Sequence, residues 1–203
     1  MRQLYKDSIL FRYLIIWYII TLAFALLISL ASGGYLFLSL ALWTVIAVIA
    51  YYLRPPNFII SGLVLALIEE TLIYSLGGGL QGEATSLADD LIHAMPVFAA
   101  IVIGWYLCLV RYDIQPQELY LLGGLHGVLL ELVLSGLILN PIIAFLFGGS
   151  TIFIYGSILI SPQQPHGDAQ FTTSTAIKWW FIILILIVFS GIVSNQLNNL
   201  IRG

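Results

Sequence analysis

Apolar runs of about twenty residues, cut by short polar breaks, repeat along the whole chain. A helix crosses a bilayer with about 20 mostly apolar residues. Seven segments meet or approach that length: Phe11–Leu30, Tyr35–Leu53, Asn57–Leu76, Leu87–Val110, Glu118–Leu139, Pro141–Ile160 and Ile177–Leu197. The alternation of a membrane strand is absent, which argues against a barrel. Turn residues mark the breaks at Ser32-Gly33-Gly34, Pro55-Pro56, Gly77-Gly78-Gly79 and Asn140-Pro141. The pattern predicts an all-α polytopic transmembrane helical bundle of about seven spans, one integral membrane domain over residues 1–203. Ser29-Leu30-Ala31 has the form of a signal-peptidase site, but the run before it exceeds the roughly 7–15 residues of a signal-peptide core. A retained anchor is expected there. The one long polar connection, Ser161–Thr175, has a length at which loops are functional or mobile.

Composition agrees and narrows the partners. The chain is 61% hydrophobic and 8% charged, with a mean hydropathy of +1.04, against about 25% charged in soluble domains. Its first partner is the lipid bilayer. Seven Lys and Arg against ten Asp and Glu leave no basic surface for nucleic acid. A lone cysteine, Cys108, excludes an intramolecular disulfide and a cysteine-based zinc site. Arg2, Lys6 and Arg12 flank the first span and predict a cytoplasmic N-terminus in the cell membrane. Threading seven spans from there leaves Arg54, Arg111 and Lys178 on the same side and Arg202 opposite, while Glu83 falls in a non-cytoplasmic loop. Among the tryptophans, Trp179 and Trp180 beside Lys178 suit an interfacial belt, with Trp43 and Trp105 placed deeper.

Ionisable side chains inside spans are costly and mark candidate sites. The third span carries Glu69 and Glu70, the fourth opens with Asp89, Asp90 and His93, and the fifth holds His126 and Glu131. A rise of about 1.5 Å per residue puts Glu69, Glu70, His93 and Glu131 about 20 Å above the cytoplasmic end, and His126 about 12 Å above it. Three helices thus present acids and imidazoles at overlapping depth, which predicts a shared polar pocket. Asp89 and His93 are i,i+4 and share a face. Gly123, Gly127, Glu131 and Ser135 form an i,i+4 stripe of small residues that admits a close neighbour and turns Glu131 into the bundle. His126 and Glu131 diverge by about 140° around their helix. Structural readings stand beside these: protonated glutamates bonded between helices, Asp90 as a helix N-terminal acid, and His126 as helix–helix glue. The short echo of Gly78–Gly82 in Gly123–Gly127 ends after five residues and reads as chance.

The order of a Glu-Glu pair in one span, a histidine in the next and another in the one after resembles the CAAX-processing and bacteriocin-processing family of intramembrane proteases. The first motif corresponds to Glu69-Glu70-Thr71-Leu72-Ile73-Tyr74, with Tyr74 where the family has arginine. The second corresponds to Asp89–His93, with aspartate for phenylalanine, and the third to His126–Glu131, with the acid one position late. The resemblance covers about 60 residues. It implies that Glu69 or Glu70 activates a water while His93 and His126 stabilise the oxyanion, with Asp89, Glu131 and Tyr74 in support. It implies a membrane-embedded peptide substrate. No cofactor is required on this reading; a divalent metal held by Glu and His from separate helices is the alternative. Two further classes use the same residues: a proton-coupled transporter or channel, and an accessory subunit packed against other membrane subunits.

Overall fold

The computed structural model describes residues 9–76, 86–134 and 136–202, with the backbone alone at 134, 137 and 197–202. Arg2, Lys6, Glu83, Ser135, the Gly77–Gly79 break and the Gly78–Gly82 echo lie outside the described residues, and of Arg202 only the backbone is described. The helices are α1 (Ile9–Ser32), α2 (Leu36–Leu53), α3 (Phe58–Ser75), α4 (Leu87–Leu109), α5 (Pro116–Val128), α6 (Pro141–Ile160) and α7 (Thr173–Arg202). Six of them, all but α5, are long and apolar enough to cross a membrane. The protein is an all-α, multi-pass membrane bundle.

The fifth expected span is where expectation and structure part. Its start comes at Pro116, which needs no N–H partner in a first turn, while the Glu118 carboxylate takes the Gln115 N–H at 3.2 Å. Its regular course ends at Val128, and Leu129–Leu134 follows as a π-helical segment. Gly136 then adopts φ +76°, and Leu137–Leu139 makes a 3₁₀ turn. In the run Leu-Leu-Glu-Leu-Val-Leu every position but one is apolar, so no periodicity separates a wide helix from an ordinary one. Asn140 restarts the chain: its side chain accepts the N–H groups of Ile142 and Ile143 at 3.1 and 3.2 Å ahead of Pro141.

Helix α6 is the centre of the bundle, buried without interruption from Gly148 to Ser161. It runs antiparallel to α5, and glycines set the approach. A Cβ on Gly124 would stand 2.9 Å from both Cα and O of Ile152, and one on Gly156 would stand 2.7 Å from the Tyr120 carbonyl. On its other side α6 takes the Tyr18 ring of α1 flat against Phe153, 3.9 Å between centroids. Trp43 of α2 donates to the Ser157 hydroxyl at 3.2 Å. Helix α7 packs mainly along α4 and leaves most of its apolar surface outward, as a lipid-facing helix does.

One end of the bundle is tied across three connections. The Gln163 N–H reaches the Pro55 carbonyl at 3.0 Å, and Arg54 donates to the Ile160 carbonyl at 3.3 Å. Within the long polar connection, β2 (Ala169–Gln170) pairs in parallel with β1 (Tyr112–Asp113), a two-residue ladder in a sequence without strand alternation. Gly167 lies directly on the Arg111–Tyr112 backbone, where no Cβ fits. Arg54 and Arg111 therefore share one end, and the Tyr112–Trp179 ring contact brings the start of α7, with Lys178, to it.

Candidate functional site

Three helices and the π segment converge on a group of carboxyls. Glu69 is 3% exposed on the inward face of α3, and Glu70 beside it is half-buried. Asp90 comes from the first turn of α4, which Ser86 caps by accepting the Asp89 N–H at 3.2 Å. An acid suits that turn because the unpaired N–H groups there carry partial positive charge. Glu131 comes from the π segment. The side chains of Glu70 and Asp90 come within hydrogen-bonding reach of each other. Glu69 and Glu131 stand within electrostatic reach of that pair. A hydrogen bond between two carboxyls requires that one of them be protonated.

Tyr155 of α6 closes the group from the centre of the bundle. Its hydroxyl donates to Glu131 Oε1 at 2.9 Å and lies within reach of Glu69 and Glu70. The small-residue stripe faces it: Gly123 meets Leu159, Gly127 lies under the Tyr155 ring, and Glu131 one turn later meets the hydroxyl. Neither Tyr155 nor the pairing role of Asp90 was legible from the chain. One signal was present. Gly148-Gly149-Ser150-Thr151 and Gly156-Ser157 line α6 with small residues that let neighbouring helices approach closely, and a polar group in such a helix faces protein rather than lipid.

The histidines separate. His93 Nδ1 lies 2.8 Å from the Asp89 carbonyl oxygen and 3.7 Å from Asp89 Oδ1, so the expected i,i+4 pair forms. The His93 side chain is 42% exposed and within electrostatic reach of Asp90, which makes it the rim of the carboxyl group. Its link to Glu70 runs through Asp90. Ser194 of α7 donates to the Ile92 carbonyl at 2.6 Å and steadies this turn.

His126 is fully buried elsewhere, between α5, α4 and α7. Its ring stacks on Trp180 (4.7 Å between centroids, 15° between planes) and meets Trp105 edge-on at 5.9 Å. Its Nε2 donates to the Trp180 carbonyl at 3.2 Å, and the Trp180 indole donates to the Leu122 carbonyl at 3.2 Å. His126 thus faces the α4–α7 side of α5, while Glu131 faces α6. Tyr74 is half-buried one turn beyond Glu70. Cys108 is buried in the apolar core. Among the described residues no three His, Cys, Asp or Glu side chains are arranged to hold a metal ion. No family model, curated protein or solved structure matches the chain.

Proposed function

We propose that this membrane protein is a carboxyl-based intramembrane hydrolase in which Glu70 and Asp90 form the acid–base pair. The observation that carries the reading is that α3 and α4 bring these two carboxyls within hydrogen-bonding reach of each other. Two carboxyls that share one proton divide acid and base roles between them, as in aspartic-protease dyads. The ionised member takes a proton from a water as its oxygen attacks a peptide carbonyl. The protonated member gives its proton to the departing amine, and the pair ends with one proton, as it began. His93, at the exposed rim, is the group that meets a substrate carbonyl as hydrogen-bond donor. His126 serves packing on this reading.

The likeness of Glu69-Glu70 and His93 to the first two motifs of the CAAX-processing family supports a peptide substrate embedded in the membrane. The gathering of Arg54, Arg111 and Lys178 at one end supports a cytoplasmic location for that end. In an odd count of crossings from a cytoplasmic N-terminus, the carboxyl group then lies toward the opposite face.

The test uses the purified full chain in liposomes with quenched-fluorescent single-span peptides. Glu70→Gln and Asp90→Asn each lower turnover by about 10²–10⁴-fold, the usual contribution of a positioned acid or base. The double variant is no worse than either single one, because the pair acts as a unit. Full turnover in both single variants refutes the dyad. A second reading, a proton-coupled carrier, is favoured by the extension of the hydrogen-bonding group to Glu131 and Tyr155. It predicts acid-driven proton entry into pyranine-loaded liposomes that Glu70→Gln and Glu131→Gln both abolish, with no peptide cleaved.

A further inference from the structure

We infer that Tyr155 is a positioning residue whose hydroxyl holds Glu131 against the Glu69 and Glu70 carboxyls, an inference that rests on the acid–base reading of that group. Three features fix the ring. Phe98 of α4 lies nearly parallel to it, with 5.1 Å between centroids and 19° between planes. Gly127 lies against the ring as well, where any Cβ would overlap ring atoms. The residue itself is 6% exposed on the central helix. A phenol ring so clamped has little choice of direction. Its buried O–H must find an acceptor, and the acceptor it finds is Glu131 Oε1.

The backbone that carries Glu131 differs from that of its neighbours. Glu69 and Asp90 project from regular helices, whereas Glu131 projects from a π segment just before a left-handed glycine. Wide turns of this kind recur at functional sites. The Tyr155 hydroxyl, 2.9 Å from Glu131 Oε1, sets the direction of the carboxyl on that backbone and so keeps it beside Glu70. Tyr155 touches neither member of the pair by hydrogen bond, so its effect on them passes through Glu131.

Infrared spectroscopy of the full chain in liposomes tests this. Glu131→Gln first identifies the carboxyl bands that belong to Glu131. Tyr155→Phe, which keeps the ring and removes the hydroxyl, is expected to shift those bands and to lower peptide turnover by about 10–100-fold, the scale of a misplaced group. Unshifted Glu131 bands in Tyr155→Phe overturn the inference. Should Tyr155→Phe fail to fold, tyrosine carrying ¹³C at the ring carbon that bears the hydroxyl gives a second measurement. Its Tyr155 signal is expected to move in Glu131→Gln, and an unmoved signal overturns the inference equally. If the bands shift but the unaltered protein cleaves no peptide, the hold of Tyr155 on Glu131 is upheld and the hydrolase reading alone falls.

Discussion

Replacing His126 by alanine separates a packing role from a catalytic one, and the structure supplies the size of the effect. The imidazole is fully buried, stacked on Trp180 and edge-on to Trp105, and donates one hydrogen bond to the Trp180 carbonyl. Ring stacking contributes about 1 kcal/mol. A hydrogen bond between membrane helices contributes about 0.6–2 kcal/mol. The emptied ring volume adds about 1 kcal/mol of lost packing, less than a soluble core would lose because lipid is itself apolar. The expected cost is about 3 kcal/mol, close to a 150-fold shift in the folding equilibrium. His126→Phe keeps the stacking and loses the hydrogen bond, so it costs about 1 kcal/mol. Equilibrium unfolding in mixed micelles of rising SDS fraction, followed by tryptophan fluorescence, measures both. Peptide turnover by the folded fraction is expected to persist. A His126→Ala protein of unchanged stability that has lost turnover would refute this reasoning and return His126 to the oxyanion role that the family resemblance implies.

Gly124→Val places a branched side chain 2.9 Å from Ile152 backbone atoms that cannot yield, and is expected to destabilise the same micellar unfolding by at least 1–3 kcal/mol, about the cost of overpacking a core. Gly191→Ala meets nothing within 4 Å and should stabilise α7 by about 0.5–1 kcal/mol through helix propensity; a loss of stability there would mean that this face of α7 is covered. Asn140→Ala removes the acceptor for two N–H groups at the start of α6 and should cost about 1 kcal/mol. Single cysteines at Leu139 and Gln163, with Cys108 replaced first, lie beyond opposite ends of α6, a helix of 20 residues that spans about 30 Å. Gln163→Cys is expected to label from the cytoplasm and Leu139→Cys from the other side, and labelling of both from one side would undo the proposed orientation.

The number of helices, and the extent of all but the fifth, follow closely from the chain alone. In hydrocarbon every backbone polar group must be paired within its own segment, so an apolar run of sufficient length can only be a helix, and Pro55-Pro56, Asn57 and Asn140-Pro141 say where it stops. Which residues carry charge inside the membrane is also plain from the letters: Glu69, Glu70, Asp89, Asp90, His93, His126 and Glu131. The i,i+4 relations, Asp89 to His93 and Gly123 to Gly127 to Glu131, needed only helical geometry.

What required the tertiary structure is which of these groups meet. In a soluble helix the polar face marks the inside by contrast, but a membrane helix is apolar toward lipid and toward protein alike, so the sequence carries little record of which face turns inward. That choice made α6 the central helix and brought Tyr155 to Glu131. It joined Glu70 to Asp90, an acid that on its own helix looks like ordinary N-terminal charge. It also sent His126 to Trp180 on the far side of α5, although counting residues set it only about five positions, or 7.5 Å of rise, from Glu131. The π segment at Leu129–Leu134 belongs to the same class, because a uniformly apolar run has no period to reveal the width of its turns.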